Sequence, residues 1–328
     1  VYKAKISGTG SYLPDRVLSN FDLEKLVETS DAWITERTGI RERRVAAPEQ
    51  ATSDLAVIAA KRALEAAGLD AKDLDMIICA TATPDQPMPN TACVIQEKLG
   101  ARNVMAFDLA AACSGFVYAL AIANQFIRSG VYKHILVVGA ETLSRIVNYK
   151  DRDTCILFGD GAGVFVISRN EDNTPSEIMS EHLHADGTLG HVFELPGGGS
   201  RIPLTHAALD NNLQYVKMKG KEIFKAAVRT LVESSQEALD KNQVTIEELS
   251  WLVPHQANIR ILGSVASHFG IPMEKVVINI ERTGNTSAAT IPMAFDEAVR
   301  DGRIKRGQII LLAAFGAGVT SGSILLRY

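Results

Sequence analysis

Cys113 lies in "DLAAACSGFVYAL" (108–120), a thiol set after three alanines and before Ser-Gly, where small residues read as the opening of a helix. Free N–H groups and the dipole at a helix start favour a thiolate and lower its pKa, and a thiolate is a strong nucleophile at neutral pH. The plainer reading is a buried cysteine serving as a small hydrophobe. His255 closes the apolar run "WLVP" and opens "HQANIR", which puts an imidazole at the C-terminal edge of a sheet, where open α/β folds hold their sites. Asn285, in "TGNTSAA", stands at a matching edge, with capping of the next helix at Thr286 or Ser287 as its plainer role. Cys, His and Asn in that order also describe a papain-like hydrolase, but its C-G-[SA]-C-[WY] signature is missing.

The elements that position these groups are written twice. "RALEAAGLDAKDLDMIICA" (62–80) lines up without gaps on "EALDKNQVTIEELSWLVPH" (237–255), each a helix end, a linker and a buried strand; the offset from Ala80 to His255 is 175. "NVMAFDLAAACSGFVYAL" (103–120) matches "KVVINIERTGNTSAATIPMAF" (275–295) as strand, turn and helix, and setting Val104 on Val276, an offset of 172, drops Cys113 onto Asn285. The halves close alike, with "HILVVGA" and "QIILLAAF" leading through glycine-rich turns into "GAGVFVIS" and "SGSILLRY". Alternating strands and helices predict parallel α/β layers with covered faces, divided into residues 1–172 and 173–328 near the polar stretch "RNEDNTPS" (169–176). Two insertions break the symmetry, 20–50 and the loop-like 185–215; such segments tend to carry substrate contacts.

Composition excludes several classes. The 328 residues carry a net charge of −4 and no basic stretch beyond "RERR" (41–44), so no nucleic-acid footprint is present. No apolar run approaches the roughly 18 residues of a membrane span, and "VYKAKISGTGSYLP" reads as strand and turn instead of a signal peptide, which makes the cytoplasm the expected compartment. The four cysteines (79, 93, 113, 155) show neither CxxC pairs nor regular spacing, so free thiols are expected, with no zinc site and no disulfide framework.

The remaining motifs are weaker. "FGAGVTSG" (315–322) precedes a strand and lacks the Lys-Ser/Thr of a phosphate loop, but as a tight turn it can offer a backbone N–H to an oxyanion beside Cys113. "FGDGAGV" (158–164) reads as its structural counterpart, a turn that lets the halves pack closely. His182 and His184 share a strand face and Asp186 follows, without a recognisable third metal ligand. Trp33, Arg37 and the "KDRDT" segment with Arg152 offer an aromatic face and guanidinium groups suited to adenine and phosphate, or serve as surface anchors.

The combination of "AAACSGF", "VPHQAN", "GNTSAA" and "DEAVRDGRIKRGQ", from "GTGSYLP" to "SGSILLRY", resembles β-ketoacyl-[acyl-carrier-protein] synthase III, the initiating condensing enzyme of bacterial type II fatty acid synthesis in the thiolase superfamily. The resemblance implies a thiolase-like α/β fold of two pseudo-two-fold halves in five α-β-α-β-α layers. It implies that Cys113 takes an acyl group from acyl-CoA, that His255 and Asn285 hold the thioester oxygen of malonyl-carrier protein during decarboxylation, and that Gly316 and Ala317 belong to the oxyanion turn. It further implies that Trp33, Arg37 and Arg152 surround CoA, that Asn258 and Phe315 line the pantetheine channel, that Arg260 and Lys225 face the acyl carrier protein, and that Met88 reaches the acyl pocket of a homodimer partner. No cofactor and no metal is implied. Ser267 and His268 stand where several relatives carry two basic residues, and Met88 where acetyl-selective relatives often carry Phe, so the primer length stays open. Within the superfamily, Asn285 argues against the two-histidine elongating synthases and the absence of Cys in "FGAGVTSG" against thiolases. A starter synthase of a secondary pathway shares the same chemistry, and a catalytically silent subunit would not need all three polar groups.

Overall fold

The computed structural model describes every residue except 173, so one side of the boundary expected at 172/173 lies outside the described residues. Short Val/Ile/Leu-rich runs make the strands, and their burial on both faces shows that each sheet is covered twice. The first sheet holds β1 (Ala4–Tyr12), β2 (Met76–Ala80), β3 (Met105–Leu109), β4 (His134–Thr142) and β5 (Asp160–Arg169), in spatial order β1-β5-β4-β2-β3. The second holds β6 (Glu177–Ala185), β7 (Trp251–Pro254), β8 (Ile309–Gly316) and β9 (Thr320–Arg327), in order β7-β8-β9-β6.

Strand directions repeat from one sheet to the other. β2 runs parallel to β3 and β4, and β5 antiparallel to β4 and β1. Likewise β7 runs parallel to β8, and β9 antiparallel to β8 and β6, while a lone bridge from Leu252 to Val276 marks where a counterpart of β3 would join. The sheets are thus mixed instead of parallel. The cause is plainest at β8 and β9, whose connection 317–319 is far too short for a parallel crossover.

Helices form three layers around the two sheets, five layers in all. The central layer is α4 (Gly115–Arg128) and α7 (Thr290–Arg300), whose Phe116, Leu120, Ile291 and Phe295 share one core with Ile135 and Val137 of β4 and Ile310 and Leu312 of β8. The alternate residues face outward: Leu136 and Val138 pack under α2 (Thr52–Ala67) and α3 (Thr91–Leu99), Leu311 and Ala313 under α5 (Gly220–Asn242) and α6 (Ile259–Phe269). "FGDGAGV" enters β5 instead of forming a turn, yet its close-packing role stands, because a Cβ on Gly163 would lie 2.6 Å from Met293 N of the other half.

Left-handed residues fix the register of the duplication. Gly68 and Gln243 end α2 and α5, Gly100 and Gly270 end α3 and α6, and Ala112 and Ser287, at φ 45° and 49°, precede α4 and α7. The first and third pairs are 175 residues apart and the second 170. Cys113 therefore corresponds to Ala288, and Asn285 to Ala110, correcting the offset of 172. The second half carries five extra residues here, including a helical turn at Ile280–Thr283.

Both insertions are structured. Residues 20–50 carry helix α1 (Asp31–Thr38) and the strand Glu42–Val45, which pairs with Arg16–Ser19. Arg43 of the "RERR" run is fully buried there and donates to Leu18 O (3.1 Å), Asn20 Oδ1 (2.9 Å) and Ile156 O (2.7 Å). Its stem also lies against Gly159 and Gly284, bracing the segment that leads into Asn285. Residues 185–215 contain the 3-10 turn Gly187–Val192 and the helix His206–Asp210, more order than their glycines and prolines suggest.

Candidate active site

β3 delivers the chain to a 3-10 turn, Ala112–Ser114, from which α4 starts at Gly115. Cys113 sits inside this turn, buried at 5% exposure. β8 ends beside it: a Cβ at Gly316 would stand 2.9 Å from Cys113 N and 2.8 Å from Ser114 N, so only glycine lets the end of β8 approach so closely. Thr320 and Ser114 tie the two turns with a 2.5 Å hydroxyl contact.

His255 follows β7, with its N–H on Ala313 O at 2.8 Å, and its Nδ1 lies 2.7 Å from Thr290 Oγ1. Thr290 Oγ1 is also 3.0 Å from Ser287 O. The single hydroxyl proton has two destinations. Donated to Nδ1, it leaves the imidazole with Nε2–H as its free donor; donated to Ser287 O, it leaves Nε2 bare. Asn285 is held by β-type backbone bonds, its N–H on Leu157 O (2.8 Å) and its O accepting from Gly159 N (3.0 Å). Its Oδ1 accepts from Ser287 N at 2.8 Å, which is the capping role anticipated as the plainer one. Because Oδ1 is engaged, Nδ2 is the end of the amide left to donate.

His255 and Asn285 thus meet around Ser287, whose N–H donates to Asn285 Oδ1 and whose carbonyl lies 3.0 Å from the Thr290 hydroxyl that reaches His255, while Cys113 stands beside Gly316 at the end of the strand whose Ala313 carbonyl takes the His255 N–H. Glu141, at the end of β4, is wholly buried and accepts from Thr83 Oγ1 (2.6 Å), Thr81 Oγ1 (3.3 Å) and Ala82 N (3.0 Å). Sequence reasoning missed both Ser287 and Glu141. The available signal was an acid closing the otherwise apolar "HILVVGAET".

Electrostatics correct one expectation. The Cys113 thiol is pushed up to about 12, chiefly by burial and further by the Glu141 charge, against the favourable Ser287 bond. Cys113 sits in the 3-10 turn just ahead of the helix, with its sulfur largely shielded from water. Burial also lowers His255 to about 3, so the imidazole is neutral, and raises Glu141 to about 7 despite its hydrogen bonds.

The outer residues fall into separate groups. Arg37 and Arg152 bring their guanidinium carbons 4.5 and 4.9 Å from the Trp33 ring centre, and Asn258 donates to Arg37 O at 2.9 Å while capping α6. Arg260 stands 5.8 Å from the Phe224 ring, next to exposed Lys225, and Ser267 and His268 are exposed on the last turn of α6. Phe315 is buried in the outer core of the second sheet, Ala317 opens the turn after β8, and Met88 is 84% exposed on the loop after β2. His182 and His184 share the Glu237 carboxylate at 3.1 and 2.6 Å, and Asp186 caps the turn after β6. All four cysteines are free thiols, and no helix among the described residues is long and apolar enough to cross a membrane.

Comparison with known proteins adds a family. The model of 3-oxoacyl-[acyl-carrier-protein] synthase III matches residues 107–187, and that of its C-terminal region matches 239–328. A curated β-ketoacyl-[acyl-carrier-protein] synthase III of Caldanaerobacter subterraneus is 53% identical over 99% of this chain and 98% of its own. Its counterpart in Aquifex aeolicus is 52% identical over 99% of each. A crystal structure of 3-oxoacyl-[acyl-carrier-protein] synthase III from Aquifex aeolicus superposes with a TM-score of 0.92 at 50% identity, covering 99% of this chain and 100% of that one. These relatives favour neither the hydrolase nor the secondary-pathway starter synthase.

Proposed function

The chain belongs to the β-ketoacyl-[acyl-carrier-protein] synthase III family of acyltransferases, and from that premise we propose that it condenses an acyl-CoA primer with malonyl-acyl-carrier protein to start fatty acid synthesis. Cys113 attacks the primer carbonyl; the new sulfur–carbon bond replaces the bond to CoA, which leaves as a thiolate. The tetrahedral oxyanion lies against the Cys113 N–H and the turn of Gly316 and Ala317. Malonyl-carrier protein then loses carbon dioxide, and its electron pair becomes an enolate whose oxygen takes hydrogen bonds from His255 Nε2–H and Asn285 Nδ2–H. The enolate carbon attacks the acyl-Cys113 carbonyl and expels the sulfur, releasing the 3-oxoacyl product. Decarboxylation supplies the carbanion, so the cycle calls on no cofactor or metal.

The observation that carries this assignment is the juxtaposition of His255 and Asn285, each held at one end around Ser287, with Cys113, which lies against Gly316 at the end of the strand that takes the His255 N–H. A neutral imidazole suits a hydrogen-bond donor to an enolate, and the burial that holds His255 near 3 keeps it neutral. In the same reading Trp33, Arg37 and Arg152 take the adenine and phosphates of CoA, Asn258 and Phe315 flank the pantetheine arm, and Arg260 and Lys225 meet an acidic carrier protein. β3 is an edge strand beside the loop of exposed Met88, which supports a homodimer in which Met88 reaches the partner's acyl pocket. The halves are taken as 1–172 and 173–328, and the compartment as the cytoplasm. The test is to mix the protein with acetyl-CoA and malonyl-carrier protein and weigh the carrier protein. A 3-oxoacyl carrier protein with carbon dioxide released supports the reading; free carboxylic acid as the sole product points to hydrolysis and overturns it.

A further inference from the structure

Arg43 is wholly buried, and the acceptors it meets are neutral oxygens: Leu18 O, Asn20 Oδ1 and Ile156 O. Burial lowers it only to about 10, so it stays a cation at neutral pH. A buried charge without a carboxylate partner is costly to keep, and an apolar side chain of similar volume would fill the space at less cost. What the guanidinium and its stem hold in place accounts for that cost. At one end Nη2 donates to Ile156 O at 2.7 Å. Close behind come the two backbone partners of Asn285: Leu157 O takes the Asn285 N–H at 2.8 Å, and Gly159 N donates to Asn285 O at 3.0 Å. The stem packs under the same bridge, since a Cβ on Gly159 or on Gly284 would lie 3.0 Å from Arg43 Cβ. At the other end Nη1 and Nη2 both reach Asn20 Oδ1, at 2.9 and 3.0 Å. The Asn20 amide donates onward to Ile40 O (2.7 Å) and to Asp31 Oδ1 (2.9 Å), where α1 begins.

We propose that Arg43 is a positioning residue for Asn285: it fixes the segment Ile156–Gly159 from which Asn285 hangs, and so aims the Asn285 Nδ2–H at the enolate formed on decarboxylation. The inference rests on the condensation reading above. Asn285 spends its own N–H and O on Leu157 and Gly159, and its Oδ1 on Ser287 N, so a shift of that segment passes straight to the amide. Cys113 takes its place from other strands, following β3 and packing against Gly316 at the end of β8, so the loss falls on decarboxylation and not on acyl transfer.

The Asn20 end has its own consequence. α1 carries Trp33 and Arg37, so loosening it weakens the hold on acyl-CoA in the same reading. That effect belongs to KM for the primer and leaves the acylation rate at saturation intact.

The test compares two half-reactions in single turnover, carbon dioxide release from malonyl-carrier protein and acyl transfer to Cys113 from saturating acetyl-CoA, in wild type, Arg43→Lys and Arg43→Met. Lysine keeps a stem against Gly159 and Gly284 but puts one ammonium in place of the fork, so it cannot hold Ile156 O and Asn20 together. Decarboxylation should fall about 10- to 100-fold in both variants, the scale for a displacement on the order of 1 Å. Acylation should stay within about twofold, while KM for acetyl-CoA in steady state rises. A merely structural role would slow both steps alike. A second arm places Arg43→Lys in the Asn285→Ala background, where the double variant should decarboxylate no more slowly than Asn285→Ala alone. Unchanged decarboxylation in folded Arg43→Lys, an equal loss in both steps, a further loss on top of Asn285→Ala, or failure of both Arg43 variants to fold overturns the positioning role. Wild type that releases no carbon dioxide from malonyl-carrier protein overturns the condensation reading instead.

Discussion

Thr290→Val isolates the part of the site that governs decarboxylation. Valine keeps the shape of threonine and deletes one hydroxyl, which lies 2.7 Å from His255 Nδ1 and 3.0 Å from Ser287 O. Stabilising an enolate requires Nε2–H, and therefore a donor on Nδ1. With the hydroxyl gone, Nδ1 is a buried acceptor without a partner, a loss of about 1–3 kcal/mol. The ring relieves it by turning Nδ1 toward another donor, and that rotation removes the donor aimed at the enolate. The cost falls on the decarboxylation transition state, so the rate should drop on the order of 5- to 150-fold. Acylation of Cys113, which does not use the imidazole proton, should change less than about twofold by the same arithmetic. The assay is carbon dioxide release from malonyl-carrier protein measured beside acyl transfer from acetyl-CoA, both under single-turnover conditions. An equal fall in both steps, or none in decarboxylation, would refute the tautomer argument.

Four further outcomes are expected. Cys113→Ala should abolish acyl transfer and retain malonyl decarboxylation, since the enolate site lies on His255 and Asn285; loss of folding would return the cysteine to a packing role. Trp33→Ala should raise KM for acyl-CoA about 2- to 30-fold with kcat nearly unchanged, the range for an aromatic face holding cations and adenine, measured by steady-state kinetics. Gly316→Ala should slow acylation at least about tenfold at a stability cost of about 1–3 kcal/mol, because the new Cβ would press on Cys113 N and Ser114 N; rapid-quench acylation and denaturant unfolding check it. Stability should carry two opposed pH terms. His255, lowered to about 3 from 6.5, takes its proton only on unfolding, so stability falls as pH drops below about 6.5; Glu141, raised to about 7 from 4.5, favours the fold below about 4.5 and loses that contribution as pH rises to about 7. Urea titrations from pH 4.5 to 7.5 should show the stability advantage of wild type over Glu141→Gln shrinking with rising pH, and a constant difference would contradict the sign.

The duplication was legible because helix ends and buried strands leave clear marks, such as the ungapped match of 62–80 on 237–255. Register near the site was not, since the five extra residues around Ile280–Thr283 occupy a stretch where apolar pattern alone cannot separate strand from helical turn. Cys113, His255 and Asn285 stood out by type and position, and Trp33, Arg37 and Arg152, far apart in the chain, are in fact stacked together. Sequence could not show the burial that pushes the Cys113 thiol up, because desolvation belongs to the assembled halves. Ser287 enters the sequence reading only as a position that Asn285 can cap, and its place between His255 and Asn285 depends on a left-handed turn that no local motif announces.

Intact mass spectrometry after mixing the protein with acyl-CoAs of increasing length, followed by peptide mapping, tests the central claim most directly. One acyl group per chain on the peptide carrying Cys113, absent from Cys113→Ala, is the predicted result, and the donors that label it define the primer range. No adduct from any donor, or an adduct on another residue, would contradict the account.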